Sequence, residues 1–376
     1  ARPESRVFCI IGDGAFGFQA MELDTAVRHG LDIVTLLGND AAWGIDKNIQ
    51  VGLYGKAVIT DLSPVRYDLL AEGLGYDSIW VTEPRLARDA ITGMAVVAAA
   101  TTRIRIGSAV VNNWTRGAPL MAATFASLDD LAPGRVILGL GGYWDPLAFK
   151  QGIVRSKHLT AMREYVDVVR RLWNLERVTF EGEIVKVRDL EMDQAHEAQL
   201  AYGNVYADGR FDIPVYLGPT GDRMLELTGE IADGALINGI LSPSYTVRSL
   251  ERMAIGAARA GRTLDDIEKI QLVNISMNAD RGKALYDAKR LVTQYLGQQP
   301  HFAKAWEFPE DRLTEIKQVM GGWPPRPGGI KDAMALVDDA MVADLIAYGT
   351  PDECFASAQR WMDAGLDQMI LIPLSR

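Results

Sequence analysis

Three glycines near the start of the chain, Gly12, Gly14 and Gly17, match the spacing G-x-G-x-x-G, and Asp40 closes the strand that follows. By spacing alone, such a loop lays a diphosphate on bare backbone N–H groups while the acid takes a ribose hydroxyl. Asp13, between the first two glycines, changes that chemistry. A carboxylate there repels a bare diphosphate, so a divalent cation has to lie between them, with further oxygen ligands around it. Asn39, at the next strand end, supplies one. The stretch therefore suits a metal-bridged diphosphate.

A second candidate is Gly218-Pro219-Thr220-Gly221, which follows an apolar strand and opens a helix. Gly218, Thr220 and Gly221 can offer backbone N–H groups to a phosphate at the helix N-terminus, although a plain strand-to-helix turn uses the same residues. "LGLGG" (138–142) ends another strand, and Gly139 and Gly141 there let a flat ring or its side chain come close. Glu83, Asn112 and Trp114 stand at strand or loop ends and are candidates for chemistry at the same mouth. His29, His158, His196 and His301 lack metal-ligand spacing and are expected on the surface or in loops. No G-x-S-x-G elbow occurs, so serine hydrolysis has no support.

The elements that must carry these residues alternate. "YDSIWVTEP", "RIRIGSAVV", "RVILGLG", "IPVYLG", "GALIN", "IQLVNISM" and "MILIPL" read as strands. "SPVRYDLLAEGLG", with Ser63 as N-cap and Pro64 next, reads as a helix, as do "RDAITGMAVVAAATT", "APLMAATFASLDDLA", "KHLTAMREYVDVVRRLW", "GDRMLELTGEIA" and "SPSYTVRSLERMAIGAARAG". Seven or eight such units predict α/β architecture closed as a (β/α)8 TIM barrel. Two insertions interrupt it: 175–211, with a hairpin at "VTFEGEIVKV", and 298–329, with Trp306, Trp323 and little periodicity. Loops of that length usually cover an active site, and substrate choice is expected to reside there.

Composition narrows the class. A net charge of −10 argues against nucleic acid. Cys9 and Cys354 form no disulfide framework, and "VFCII" is too short for a signal core or a membrane span, so a cytoplasmic protein is expected.

"GDGAFGFQAMELDTAVRHGLDIVTLLGNDAAWGIDKNIQVGLYG" resembles the C-terminal domain of thiamine-diphosphate enzymes, in the acetolactate-synthase-like branch. The resemblance implies that Asp13, Asn39 and the carbonyl of Ala41 ligate Mg²⁺. It also implies an activating glutamate on a separate pyrimidine domain, which these 376 residues do not contain. The expected division is a truncated thiamine-type fragment over 1–48 and a barrel over 49–376, with "IQVGLY" (49–54) as the barrel's first strand and the join near Gly75.

From about residue 69 the chain resembles the bacterial-luciferase-like oxidoreductases, through "GYDSIWVTEP", "TTRIRIGSAVVNNWTRGAP", "LDDLAPGRVILGLG" and "VDVVRRLW" with "VTFEGE". "IPVYLGPTGDRMLELTGEIADGALIN" is similar to the methylenetetrahydromethanopterin reductase branch, which uses the deazaflavin coenzyme F420. The resemblance implies a bulge with a non-prolyl cis peptide near Ala109–Val110 that backs the ring. Many members carry a His near Glu83, where this chain has Pro84. The function implied is hydride transfer between F420 and a small organic substrate. Its rivals are an FMN monooxygenase, a thiamine-diphosphate lyase piece that needs a partner subunit, and a fusion without activity. The last strand is followed only by Ser375 and Arg376, so its outer face expects a cover: the N-terminal helix through Phe18, Met21, Ala26 and Val27, or a second subunit. A homo-oligomer is the expected assembly.

Overall fold

The computed structural model describes residues 7–12, 33–38, 69, 72–73, 76–83, 89–192, 211–298 and 300–374. Asp13, Asn39, Asp40, Ala41, Pro84, the segment 49–54, the join at Gly75 and the N-terminal helix all lie outside these residues. The described parts form two compact units.

The first unit, Tyr67–Ile237 with Ser249–Lys269, carries the candidate mouth. Numbered along the whole chain, after β1 and β2 given below, its strands are β3 (Ser78–Val81), β4 (Arg105–Ser108), β5 (Val111–Asn112), β6 (Val136–Gly141), β7 (Val178–Glu181), β8 (Lys186–Leu190), β9 (Val215–Gly218) and β10 (Gly234–Ile237). Its helices include α1 (Ala90–Ala100), α2 (Ala118–Leu131), α3 (His158–Trp173) and α4 (Asp222–Ile231). The parallel order is β3-β4-β6-β9-β10, with β5 beside the end of β6. Helical crossovers join these strands, as parallel pairing requires. All six residues of β6 are buried, which explains its unbroken apolar run.

The helices show why the sequence folds this way. Asp89 caps α1 by accepting the Thr92 N–H at 2.7 Å. In α3, Ala161, Tyr165, Val168, Val169 and Leu172 turn inward at helical spacing, against a core that includes Phe125, Leu138 and Trp173. The hairpin expected at "VTFEGEIVKV" is β7 and β8, antiparallel, with Phe180 level with Val187. Glu164 clamps its turn by accepting the N–H groups of Glu183, Ile184 and Val185 at 2.8, 2.9 and 2.9 Å.

Among the described residues, the other unit comprises β1 (Val7–Gly12), β2 (Ile33–Gly38), Asn238–Arg248 and the chain from Ile270 onward. β1 and β2 run parallel with Gly12 level with Gly38, so Asp13 and Asn39 directly follow two neighbouring strand ends. β11 (Glu268–Met277) pairs with β12 (Ala347–Gly349) and β13 (Gln368–Pro373), and β13 lies close to β2.

One expectation is corrected here. The insertion 298–329 is largely helical, with Pro300–Ala305 and Glu310–Met320 both α-helices. The signals are short but present: Glu310 and Asp311 in the first turn, Ile316 and Met320 buried four apart, and left-handed Gly321 (φ +80°) as the stop. Tryptophans and prolines on either side conceal this two-element pattern.

Candidate active site

The mouth is built at the C-terminal ends of parallel strands, beginning with a break between β4 and β6. Gly107 is level with Ile137, and pairing resumes with Val111 level with Leu140. Four steps along one strand therefore match three along its neighbour, which is a β-bulge. Ser108 bridges the gap: its hydroxyl donates to the Gly139 carbonyl and accepts the Gly139 N–H, both at 2.9 Å. A Cβ on Gly139 would collide with the Ser108 carbonyl, so this approach requires glycine. The Ala109–Val110 peptide in the bulge is cis, as the sequence resemblance implied.

Beyond the bulge, Asn112, Gly141 and Gly218 lie level on three adjacent strands. The Val110 isopropyl group spans the two glycines, 3.2 Å from where a Gly218 Cβ would sit and closer still to one on Gly141. Five predicted residues, Ala109, Val110, Gly139, Gly141 and Gly218, thus meet on one small surface. The loop continues through buried Pro219 and exposed Thr220 to Gly221, whose φ of +81° favours glycine. Gly221 begins α4, and no side chain caps that helix end. Asp222, in its first turn, pairs with Arg252 at 3.1 Å, which balances a carboxylate beside the loop.

The three residues expected to do chemistry have different surroundings. Glu83 accepts two hydrogen bonds from Arg116, at 3.0 and 2.9 Å, and a longer one from the Ala90 N–H at 3.5 Å. Asp89 joins the same guanidinium. The hydrogen bond to Glu83, outweighing burial, pushes the Arg116 pKa up. Burial acts to raise the Asp89 pKa, but hydrogen bonds from Thr92 and the Arg116 charge overcome it and hold the carboxyl low. Asn112 is buried, and its Oδ1 accepts the N–H groups of Trp114 (3.0 Å) and Thr115 (2.9 Å). Trp114 lies edge-on to the His158 ring, with centroids 6.3 Å apart. The Tyr165 hydroxyl donates to the Arg116 carbonyl at 2.8 Å, and burial pushes its pKa up.

Three residues belong here that spacing did not reveal. Arg116 lies 33 positions from Glu83, and nothing in the local sequence joins them. Arg155, its side chain only 9% exposed, binds the carbonyls of Gly142 and Tyr143 and pairs with Asp145 at 2.8 Å, fixing the loop after β6. The Oδ1 of Asn113 is buried with no hydrogen-bond partner among the described residues. A run of two asparagines after a strand is the only sequence signal for it.

The profile of the luciferase-like monooxygenases matches residues 63–368. The chain belongs to the luciferase-like monooxygenase family. A second profile, the C-terminal TPP-binding domain of thiamine pyrophosphate enzymes, matches residues 1–104, so the two share 63–104. A 5,10-methylenetetrahydromethanopterin reductase of Methanolobus tindarius is 29% identical over 319 residues, spanning 82% of this chain and 89% of its own. The coenzyme F420-dependent tetrahydromethanopterin reductase of Methanopyrus kandleri superposes with a TM-score of 0.66 at 24% identity, over 81% of this chain and 86% of that one. An F420-dependent secondary alcohol dehydrogenase, solved with an F420–acetone adduct, gives 0.60 at 20% identity, over 81% and 87%. The fold class of this luciferase-like chain is the α/β, (β/α)8 type expected from its alternating elements. No helix among the described residues is long and apolar enough to cross a membrane.

Proposed function

We propose that the chain is an F420-dependent oxidoreductase that moves a hydride between the deazaflavin and a small organic substrate. The observation that carries this reading is the level row of Asn112, Gly141 and Gly218 with Val110 across its glycines, at the strand ends of a luciferase-like chain. Room for the coenzyme supports it: among the described residues, the chain neighbours aside, no atom lies within 4 Å of where a Cβ on Gly142 or Gly221 would sit. Reductases that share 82% and 81% of the chain's length are named for chemistry of this type.

When bound, the coenzyme supplies a ring carbon that gives or takes a hydride. The chain's own residues hold and orient. Ala109 and Val110 back the ring, Gly139 and Gly141 let Ser108 and Val110 close the bulge that carries it, and Gly218 to Gly221 with the first turn of α4 take the phosphate. Asn112 sets the turn that places Trp114, whose ring with His158 keeps water from one side. Glu83 anchors Arg116 and the start of α1. An FMN monooxygenase is the second reading, favoured by the family to which the chain belongs. Titration of the purified protein with F420 and with FMN, followed by absorbance, separates the two. Tight FMN binding with no uptake of F420 would overturn the first.

The N-terminal match favours a further role for residues 1–104. In that reading Asp13, Asn39 and the Ala41 carbonyl hold Mg²⁺ and thiamine diphosphate, and the parallel pairing of β1 with β2 supports the placement of their loops. Among the described residues, no group of three His, Cys, Asp or Glu is arranged to hold a metal. Hydride transfer does not use these positions, so Asp13→Ala should leave its rate unchanged. A rate that rises with thiamine diphosphate and Mg²⁺, and loses that rise in Asp13→Ala, would show that the segment works in the reaction.

The assembly inferred is a homo-oligomer that meets through α1 and α2. These helices lie side by side and expose Val96 (52%), Leu120 (60%) and Leu131 (43%). α1 contains no charged residue, and the exposed stripe Leu120, Ala123, Ser127, Leu131 contains none either. By contrast, α3 turns Arg163 and Asp167 to solvent. A two-fold contact sets a patch against itself, so a patch without charge meets no like charge.

A further inference from the structure

A cavity of about 290 Å³ lies within the second unit, between the loop 238–248 and the segment 300–345. Trp306, Met341, Leu345, Ser242 and Ser244 are among the residues that line it. The indole N–H of Trp306 is already spent, donating to the Ile240 carbonyl at 2.7 Å. Phe302 packs against the indole (centroids 5.6 Å apart), and Tyr295 packs edge-on to Phe302 at 5.2 Å. The ring is therefore held rigidly, and only its π surface remains to meet a ligand.

The backbone on both sides takes an uncommon conformation. Ile240 has φ +58° and Glu307 has φ +52°. A β-branched residue rarely adopts this left-handed form, and it persists where the surroundings over-determine it, as at ligand clamps. Here the Trp306–Ile240 hydrogen bond ties the two segments together.

Glu307, Asp344 and Arg248 share the lining, and Arg248 is engaged in an interaction of its own. Asp344 has Arg360 at 3.8 Å, whereas Glu307 makes no ion pair among the described residues. The hydroxyls of Ser242 and Ser244 lie 2.8 Å apart and can accept an N–H. We propose that this cavity binds a small aromatic amine in its protonated form, with its ring on Trp306 and its ammonium group toward Glu307. A cation over an indole face and beside a carboxylate is attracted by both, while an anion gains neither. The volume suits a single-ring compound. The proposal does not rest on the hydride-transfer reading.

Benzylamine, benzyl alcohol and benzoate share a ring and differ in charge, so calorimetric titration of each into the full chain tests the proposal. Benzylamine should bind about five- to thirtyfold tighter than benzoate, with the alcohol between them. Glu307→Gln, an exposed change that keeps the side-chain length, should reduce the preference for amine over alcohol about two- to fivefold at unchanged melting temperature. Trp306→Phe should weaken the amine and the alcohol together. Benzoate binding as well as benzylamine, a Glu307→Gln variant that keeps the full preference, or no binding of any of the three would each overturn it.

Discussion

The guanidinium of Arg116 holds the carboxylate of Glu83 through two nearly equal hydrogen bonds, at 3.0 and 2.9 Å, with both side chains mostly buried. A carboxylate gripped on both oxygens, with a backbone N–H nearby, is built to position rather than to pass a proton. General acid–base groups typically contribute about 10²- to 10⁴-fold to a rate. Glu83→Gln should therefore lower hydride transfer by less than about tenfold, well short of that range. Arg116→Ala should lower stability by about 2–4 kcal/mol, because it leaves a partly buried carboxylate unpaired. Stopped-flow rates and denaturant melts check the two. A folded Glu83→Gln protein that loses a hundredfold or more would show that Glu83 takes part in proton transfer.

The Gly218–Gly221 loop gives a separate prediction. Thr220 is exposed at the uncapped start of α4, so Thr220→Asp leaves the core untouched but sets a carboxylate where this loop is proposed to take the phosphate. Repulsion there, reduced by solvent, should weaken F420 binding by about tenfold or somewhat more. Fluorescence titration of the coenzyme reads it. Equal affinity in the variant and the parent chain would remove Gly218–Gly221 from the site.

Much of this mouth is legible in the sequence because its parts are local. Strand and helix periods differ, so β3, β4, β6, β9 and β10 and their crossover helices stand out in order. Glycines at strand ends mark close approach, and at Gly139, Gly141 and Gly218 the approaching groups are the chain's own Ser108 and Val110. What stays hidden depends on closure of the chain. Arg116 meets Glu83 across 33 residues, and Trp306 meets Ile240 across 66. Neither separation has a spacing rule, and Arg155 resembles any surface arginine until it folds beneath the loop after β6.

Assembly gives a third prediction. Leu120 is 60% exposed on the uncharged outer face of α2, and replacing it should leave the fold of one chain intact. Leu120→Glu would set like charges against each other across a two-fold contact, which is destabilising at close range. Sedimentation should show the parent chain as a dimer and the variant as a monomer with an unchanged far-ultraviolet spectrum. A parent chain that is monomeric at micromolar concentration would refute the α1–α2 contact.

The last prediction concerns pH. Asp129, near the end of α2, is 2% exposed and accepts the Gly134 N–H at 2.9 Å. Burial pushes its pKa up to about 6 from 3.8, against that hydrogen bond and with Asp130 and Asp212 adding to the rise. Below about pH 4 the folded and unfolded chains both hold this proton, and the group does not affect stability. As pH rises toward 6, the unfolded chain releases the proton while the folded chain keeps it, so stability falls. Above pH 6 the penalty is complete, about 2–3 kcal/mol at 1.36 kcal/mol per pKa unit. Asp129→Asn keeps an acceptor for Gly134 and removes the titration. Urea melts should show the variant more stable than the parent at pH 8, with the gap closing as pH falls from 6 to 4. A gap that is the same at pH 4 and pH 8 would mean that Asp129 acts through shape and not through its proton.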